Sequence, residues 1–331
     1  MTTPVTQRTH PLRMAFGAGG DARPWDTGAI PPQAGRVAVI TGADTGLGRE
    51  VALQLARHGC AVVMAGIAIE RAHRVASEIR AAMPRALIDV EAVDLSDLES
   101  VREFAGRYIS TRDRLDVLVN NAGIMFAPLT RTADGIEGHF AVNHLGHFAL
   151  TGLLLPRLLT TPGSRIVTVS SNSHKMGRID FDDLHAEKGY RRMSAYAQSK
   201  LANLLFSATL AHHLQRAGTD TLSVAAHPGQ SSTHTGGDFQ WSKLFERAIS
   251  QSPRIGALPI LRAATDPDAR QDDYYGPSGF LGMRGAPERV DRSPRARDMQ
   301  LARRLWTLSE SLTGVRYDFP PPRSNPPESP Q

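Results

Sequence analysis

The feature that most restricts this chain is a repeated change of hydrophobic period. From Arg36 onward, short β-branched runs alternate with longer stretches in which apolar residues recur three and four apart. Val37-Ala38-Val39-Ile40 is the first such run, and Leu47, Val51 and Leu55 follow it at helical spacing. Ala61 to Ala65 predicts a second strand, trailed by a helix rich in Ala, Arg and Glu to about Met83. Further strands are expected at Leu87 to Val93, Leu115 to Val119, Arg165 to Val169 and Leu222 to Ala226, with a long helical region from Asp134 before the fifth. Ser96 reads as the N-cap of the helix after the third strand. Strands apolar on both faces need cover on both faces, and alternation with helices supplies it. The expected fold is therefore α/β, a doubly wound parallel sheet in one domain.

The ends differ in character. Residues 1–33 read as a flexible leader, with Trp25 and Ile30 able to tack its last part onto the body. Residues 34–285 read as the catalytic domain. Residues 286–331 read as a C-terminal segment, with an amphipathic helix over 297–313 whose apolar line is Leu301, Leu305 and Leu308. A proline-rich tail follows Gly314 and is expected to be disordered. The formal charge of +5 is scattered, so no basic stripe marks a nucleic-acid partner. The longest apolar stretch, Phe148 to Leu159, is broken by Pro156 and Arg157 and falls short of the ~20 residues that span a bilayer. The N-terminus lacks the apolar core of a signal peptide. Cys60 is the single cysteine, which excludes an internal disulfide framework and a cysteine metal site. A cytoplasmic, soluble chain with no cysteine-based metal site and no membrane attachment is expected.

Thr41-Gly42-Ala43-Asp44-Thr45-Gly46-Leu47-Gly48 lies between the first strand and the first helix. At such a junction a dinucleotide pyrophosphate meets free N–H groups and the positive end of a helix. Gly42 allows the turn, Gly46 the approach of backbone to phosphate, and Gly48 close packing of the helix on the sheet. This makes the domain Rossmann-type. At the end of the second strand, where a carboxylate would hold the ribose 2′-hydroxyl of NAD, stand Gly66 and Ile67, with no acid before Glu70. Arg49 and Arg71 are the candidates for a 2′-phosphate. The balance favours NADP, with NAD as the alternative.

Tyr196 and Lys200 are four apart at the start of a helical stretch and so share a face. A cation beside a phenol favours the phenolate and lowers its pKa from about 10. Asn120-Asn121-Ala122-Gly123 follows the fourth strand, Asn143 lies in the fifth helix, Ser170-Ser171 ends the fifth strand, and His227-Pro228-Gly229 ends the sixth. In a parallel sheet the carboxyl ends of the strands border the ligand crevice, so most of these groups converge beside the glycine turn.

In these motifs and their order the chain resembles the short-chain dehydrogenase/reductase family over roughly residues 35–285. The motifs are Thr41–Gly48, Asp94-Leu95, Asn120–Gly123, Asn143, Ser171, Tyr196 with Lys200, and Pro228-Gly229. The resemblance implies that Tyr196 exchanges a proton with the substrate oxygen while hydride moves at the nicotinamide. It implies that Ser171 hydrogen-bonds the same oxygen, that Lys200 binds the ribose and lowers the tyrosine pKa, and that Asn143 holds a water in the proton path. Asp44, Thr45 and Leu47 lie within the phosphate turn. Asp94 and Leu95 would contact adenine, Asn121, Ala122 and Gly123 would line the floor, and Pro228, Gly229 and Thr233 would border the carboxamide. Asn143-His144-Leu145-Gly146-His147-Phe148 and Ser199-Lys200-Leu201-Ala202-Asn203 resemble the retinol-dehydrogenase-like branch. The assignment of Ser171 depends on that branch, which carries a longer interval before the tyrosine. Two departures stand out: Ile67 replaces the arginine that the branch offers to NADP, and the membrane anchor of the animal retinol enzymes is absent.

The substrate wall is expected from Met176, Ile179, Phe181, Leu184 and Met193, and from Phe239, Trp241, Leu244 and Phe245, unless these residues only pack their loops on the core. An apolar carbonyl or secondary alcohol is the expected substrate. His174 and His185 read as surface residues. The alternative function, a catalytically silent nucleotide sensor or scaffold, usually comes with loss of the tyrosine, lysine or serine, and all three are present. A third reading, an extended-type epimerase, would need a longer substrate domain. The resemblance also makes a homo-oligomer expected, with the terminal helix and tail as the features that would alter it.

Overall fold

In the computed structural model, which describes residues 24–229 and 252–321, the alternating runs become strands of one sheet. They are β1 (Val37–Thr41), β2 (Ala61–Gly66), β3 (Ile88–Ala92), β4 (Val117–Asn120), β5 (Arg165–Val169), β6 (Leu222–Ala226), β7 (Tyr274–Pro277) and β8 (Pro287–Arg289). Their order is β3-β2-β1-β4-β5-β6-β7-β8, parallel throughout except for β8, which runs antiparallel to β7. The order reverses between β1 and β4, and a crevice opens there at the carboxyl ends of the strands.

The helices are α1 (Gly46–Arg57), α2 (Ile69–Ala82), α3 (Leu98–Thr111), α4 (Gly138–Phe140), α5 (Gly146–Leu159), α6 (Arg192–Arg216), α7 (Pro253–Gly256), α8 (Leu258–Thr265) and α9 (Met299–Thr313). Strand side chains alternate between faces, and the two cores follow from that. Ala38 and Ile40 of β1 pack with Val51 and Leu55 of α1 and with Ile260 of α8. Val39, between them, packs with Phe104 of α3, Leu150 and Leu154 of α5, and Leu210 of α6. Cys60 is buried in the first core, and burial pushes its thiol up to about 12, so it is an inert apolar filler.

β7 and β8 are not legible as strands. Tyr274-Tyr275-Gly276-Pro277 is short and carries both residues that strands avoid. Gly276 is required there because a Cβ would collide with the His227 ring. Ser96 is not the cap of α3. Asp97 is, accepting from the Glu99 amide at 2.9 Å, while Ser96 donates its hydroxyl to Asp94 Oδ1 at 2.6 Å.

The segment after residue 285 is joined to the rest, since β8 extends the sheet and Leu305 of α9 shares a core with Leu201 and Leu205 of α6. The tail expected to be disordered packs as far as Phe319. Val315 is buried, and the Tyr317 ring lies 4.6 Å from Trp306 and 5.0 Å from Phe148. Its hydroxyl donates to the Phe148 carbonyl at 2.6 Å. Gly152 makes room, because a Cβ there would lie 2.7 Å from Val315 and 2.8 Å from Tyr317. Residues 322–331 lie outside the described residues, as do 1–23. At the other end Ile30 is buried, and Trp25 packs against the first core. Tyr317→Ala should therefore cost about 2–4 kcal/mol of unfolding free energy. Urea denaturation reads this directly, and an unchanged midpoint would contradict the packing. No helix among the described residues is long and apolar enough to cross a membrane.

Candidate active site

The glycine turn leaves β1 with Gly42 at φ 64° and Gly46 at φ 54°, backbone that only glycine adopts without strain. A Cβ on Gly48 would collide with the Gly42 carbonyl oxygen and lie 2.6 Å from Asn121 Nδ2. Thr45 is the N-cap of α1, its side chain caps nothing, and the first turn holds no acid. The N–H groups of α1 are thus left open to an anion, which fits a dinucleotide pyrophosphate. Leu47 anchors the turn to the core.

Asn121 ties the turn to β4, donating to the Thr41 carbonyl at 2.8 Å. The Thr41 hydroxyl accepts from the amides of Asn121 and Ala122, both at 2.9 Å. It in turn meets His147 Nε2 at 2.8 Å, and His147 Nδ1 lies 3.1 Å from the Asn143 carbonyl. The bond to that carbonyl must be donated by Nδ1, so Nε2 accepts from the Thr41 hydroxyl. Asp94 is turned onto Ser96, and Leu95 is buried beneath Gly146. Gly229 ends β6 at φ 71° and donates to His227 Nδ1 at 3.2 Å. Pro228 precedes it. Thr233, Phe239, Trp241, Leu244 and Phe245 lie outside the described residues.

Asn143 sits not in regular α-helix but in a π-helical stretch, Ala141–Leu145, between α4 and α5. Its side chain is engaged at both atoms: Oδ1 accepts from the Ile124 amide at 2.8 Å, and Nδ2 donates to the Ile124 carbonyl at 3.0 Å and to Ser199 Oγ at 2.9 Å. A Cβ on Gly123 would be 3.0 Å from Asn143 Oδ1 and 3.4 Å from Lys200 Nζ, so Gly123 lies directly over these two groups.

Ser170 and Ser171 part ways at the end of β5. Ser170 is buried and donates to the Lys200 carbonyl at 2.8 Å. The Ser171 hydroxyl interacts with the Tyr196 phenol. Tyr196 is buried, its ring held edge-on by Phe126 at 5.1 Å and by His139 at 6.3 Å. Lys200 Nζ lies 5.7 Å from the ring centroid and donates to the Val169 carbonyl at 3.3 Å. Burial raises the Tyr196 pKa, and the Ser171 hydroxyl opposes it. Burial pushes Lys200 down to about 8. Its ammonium lies against the ring, and both groups have lost water.

Residues 36–240 match the family model described as short chain dehydrogenase. The chain belongs to the short-chain dehydrogenase family. Retinol dehydrogenase 12 of Mus musculus is 40% identical over 289 residues, covering 86% of this chain and 88% of that protein. Polyprenol dehydrogenase of Mus musculus is 41% identical over 307 residues, covering 89% and 88%. A solved structure of a putative uncharacterized protein from Mycobacterium paratuberculosis superposes with TM-score 0.77 at 40% identity, covering 90% of this chain and all of that one. This short-chain dehydrogenase, of the retinol-dehydrogenase-like branch, is thus an NAD(P)-dependent oxidoreductase acting on alcohol and carbonyl groups.

Several groups around the phenol have no local signal in the sequence. Phe126 adopts φ 53°, an unfavourable conformation for a large side chain, and sets its ring against Tyr196. Behind it, buried Glu137 accepts from the amides of His139 and Phe140 at 2.9 and 2.8 Å and from His139 Nδ1 at 2.8 Å. The Ala127 amide donates to His139 Nε2 at 3.2 Å, and the Tyr190 hydroxyl donates to the Ala127 carbonyl at 2.9 Å. Burial pushes the Glu137 carboxyl up, but hydrogen bonds from His139 and the two amides outweigh it and hold it low. These contacts join residues 127, 137–140 and 190, which only the tertiary fold brings together. In the expected substrate wall, Ile179 and Leu184 pack into the core with Phe181 beside them, while Met176 and Met193 are exposed. His185 is half-buried, with Nδ1 near the Glu137 amide at 3.5 Å. His174 is not a surface residue: it is wholly buried.

Burial also lowers His144 to about 3, His147 to about 4 and His227 to about 3. Their unfolded values lie near 6.5. Between these limits the unfolded chain binds protons that the folded one refuses, so stability falls as pH falls from about 6.5 towards 4, by about 1.4 kcal/mol per pH unit for each histidine. Urea unfolding at pH 7 and pH 5 should show this loss, and equal stability at both would contradict it.

Proposed function

We propose that this short-chain dehydrogenase reduces apolar carbonyl compounds with NADPH, and that Tyr196 gives the proton. The observation that carries the reading is the buried Tyr196 phenol with Lys200 Nζ 5.7 Å from its ring centroid, and with Gly123 over both Lys200 and Asn143. A bound nicotinamide coenzyme supplies or accepts the hydride. Gly42 to Gly48 and the open end of α1 hold its phosphates, and Asn121, Ala122 and Gly123 form the floor. Asp94, whose side chain is turned onto Ser96, and Leu95 would border the adenine. Pro228 and Gly229 border the carboxamide, with Thr233 beyond them.

Burial keeps the phenol protonated through neutral pH, so Tyr196 is ready to donate to a carbonyl oxygen. Ser171 donates to the same oxygen and strengthens its hold as negative charge develops. Lys200 holds the ribose hydroxyls. The side chain of Asn143 is engaged with Ile124 and Ser199, and its main-chain carbonyl, which already accepts from His147, is the group that would hold the water returning a proton to Tyr196.

NADP is favoured by Arg71. Of the two candidate arginines, Arg49 pairs with Glu78 at 2.9 Å, whereas Arg71 pairs with Asp44 of the turn at 2.5 Å. Ile67 is 73% exposed and leaves the space beside the end of β2 open. A 2′-phosphate would draw Arg71 from Asp44. Arg71→Ala should weaken NADPH binding about tenfold or more. NADH binding should change less than about threefold, since no charge-assisted bond is lost. Titration of each coenzyme by protein fluorescence checks this, and equal losses would contradict it.

The relatives named for retinol and polyprenol support a long apolar substrate. The exposed Met176 and Met193, close to Tyr196 in the fold, support it too. The lone buried thiol of Cys60 supports a reducing, cytoplasmic setting. NADPH oxidation with a panel of aldehydes, ketones and quinones, graded in hydrophobicity, tests the substrate class. A preference for the hydrophilic members would overturn it.

A further inference from the structure

We propose that His174 is a positioning residue for Ser171, strapping the serine turn to the chain segment 281–295. The proposal rests on Ser171 as the residue that holds the substrate oxygen. Segment 281–295 lies outside residues 36–240, the part matched by the family model.

Ser171 caps a short 3-10 turn, Asn172–Met176, whose geometry sets the direction of its hydroxyl. Ser171 Oγ accepts from the Ser173 amide at 3.2 Å. The Ser171 carbonyl receives the His174 amide at 3.0 Å and His174 Nδ1 at 2.7 Å. The proton on that ring is assigned by its other nitrogen. His174 Nε2 faces the Ser293 amide at 3.4 Å, and an amide N–H can only donate. Nε2 therefore accepts, Nδ1 carries the hydrogen, and the imidazole bridges the serine backbone to the segment after β8. A second proton on the ring would face the Ser293 N–H and break the bridge. Burial, aided by Lys175 and Arg292, keeps the ring neutral against the pull of the Ser171 carbonyl. The edge of the Tyr274 ring fixes the imidazole plane, at 5.9 Å and 83°.

Two further bonds make the strap continuous. Asn172 Nδ2 donates to the Gly282 carbonyl at 2.9 Å, and Arg295 donates to the Gly177 carbonyl at 3.0 Å. Gly177 presses the turn onto α6 next to Tyr196, since a Cβ there would collide with the Ala197 carbonyl oxygen and lie 2.9 Å from Leu201 Cβ. The serine turn is thus gripped at both ends and at its middle, and these contacts fix the backbone that carries the Ser171 hydroxyl.

The test is a double-mutant cycle between His174→Leu and Ser171→Ala, with decanal and NADPH as the reference assay. His174→Leu should lower kcat about 10- to 100-fold, the scale of a misplaced reacting group. In the Ser171→Ala background the same substitution should change kcat less than about twofold, because the group it positions is gone. NADPH affinity by fluorescence should fall by a smaller factor than kcat throughout, since none of the substituted groups lies in the glycine turn that faces the phosphates. His174→Asn, which places an amide N–H where Nδ1 stands, should restore kcat to within about threefold of wild type. If His174→Leu fails to fold, Asn172→Ala replaces it in the cycle, cutting the same strap at Gly282. Equal fold-losses in both backgrounds, or no loss in the first, overturn the proposal. Full activity of Ser171→Ala alone would remove the serine reading and the proposal with it. A large loss in Ser171→Ala combined with additivity would remove the proposal only.

Discussion

Tyr196→Phe should lower kcat for NADPH-dependent carbonyl reduction by about 100- to 10,000-fold, the range that a positioned acid contributes. Affinity for NADPH should hardly change. The ring is kept in place by Phe126, His139 and Lys200, and phenylalanine fills the same volume without repacking. The loss therefore falls on the hydroxyl and not on the scaffold. KM for the carbonyl substrate should rise by a smaller factor, because Ser171 still donates to the substrate oxygen.

The second large effect is at Gly48. Its absent Cβ is what allows α1 to approach the turn: an alanine would push into the Gly42 carbonyl oxygen and to 2.6 Å from Asn121 Nδ2. A backbone oxygen cannot swing aside as a flexible side chain can. Moving it would also disturb the Asn121 bond to the Thr41 carbonyl, which ties β1 to β4. Gly48→Ala should cost about 1–3 kcal/mol of stability, the usual penalty of overpacking. It should weaken coenzyme binding at least about tenfold, because the N–H groups that face the phosphates move with the turn. Gly106→Ala is the matched control. Gly106 lies inside α3 with nothing within 4 Å of its added Cβ, so alanine there should stabilise by about 0.5–1 kcal/mol. Equal effects at the two positions would contradict the packing of the turn.

Features set by local pattern were legible in the sequence, and those set by distant contacts were not. β1, β5 and β6 begin where the predicted runs begin, because a strand covered on both faces is mostly apolar along its whole length. The glycine turn and the spacing of Tyr196 and Lys200 are equally local. The seventh and eighth strands escaped because β7 holds Gly276 and Pro277, and Gly276 is dictated by the ring of His227 on the neighbouring strand. The packed tail escaped because Tyr317 and Phe319 find partners on α5, α6 and α9, while prolines dominate the local composition.

The site shows the same division. Its residue types were readable, but their electrostatic state was not. Desolvation of Lys200 depends on how deeply α6 is buried, and no motif encodes that depth. His174 looked like a loop histidine, since its neighbours Lys175 and Arg178 are charged. Its burial comes from Tyr274 and Ser293, about a hundred residues further along. The side chain of Asn143 likewise turned out to brace Ile124 and Ser199.

The most direct measurement is a single turnover of the NADPH-loaded protein with decanal, following loss of NADPH absorbance in wild type and in Tyr196→Phe. With Tyr196 as the proton donor, wild type consumes its bound NADPH rapidly. The variant, equally loaded, should be slower by about 100-fold or more. A variant rate within about threefold of wild type would show that the proton comes from another group, because the loss of a positioned acid cannot be so small.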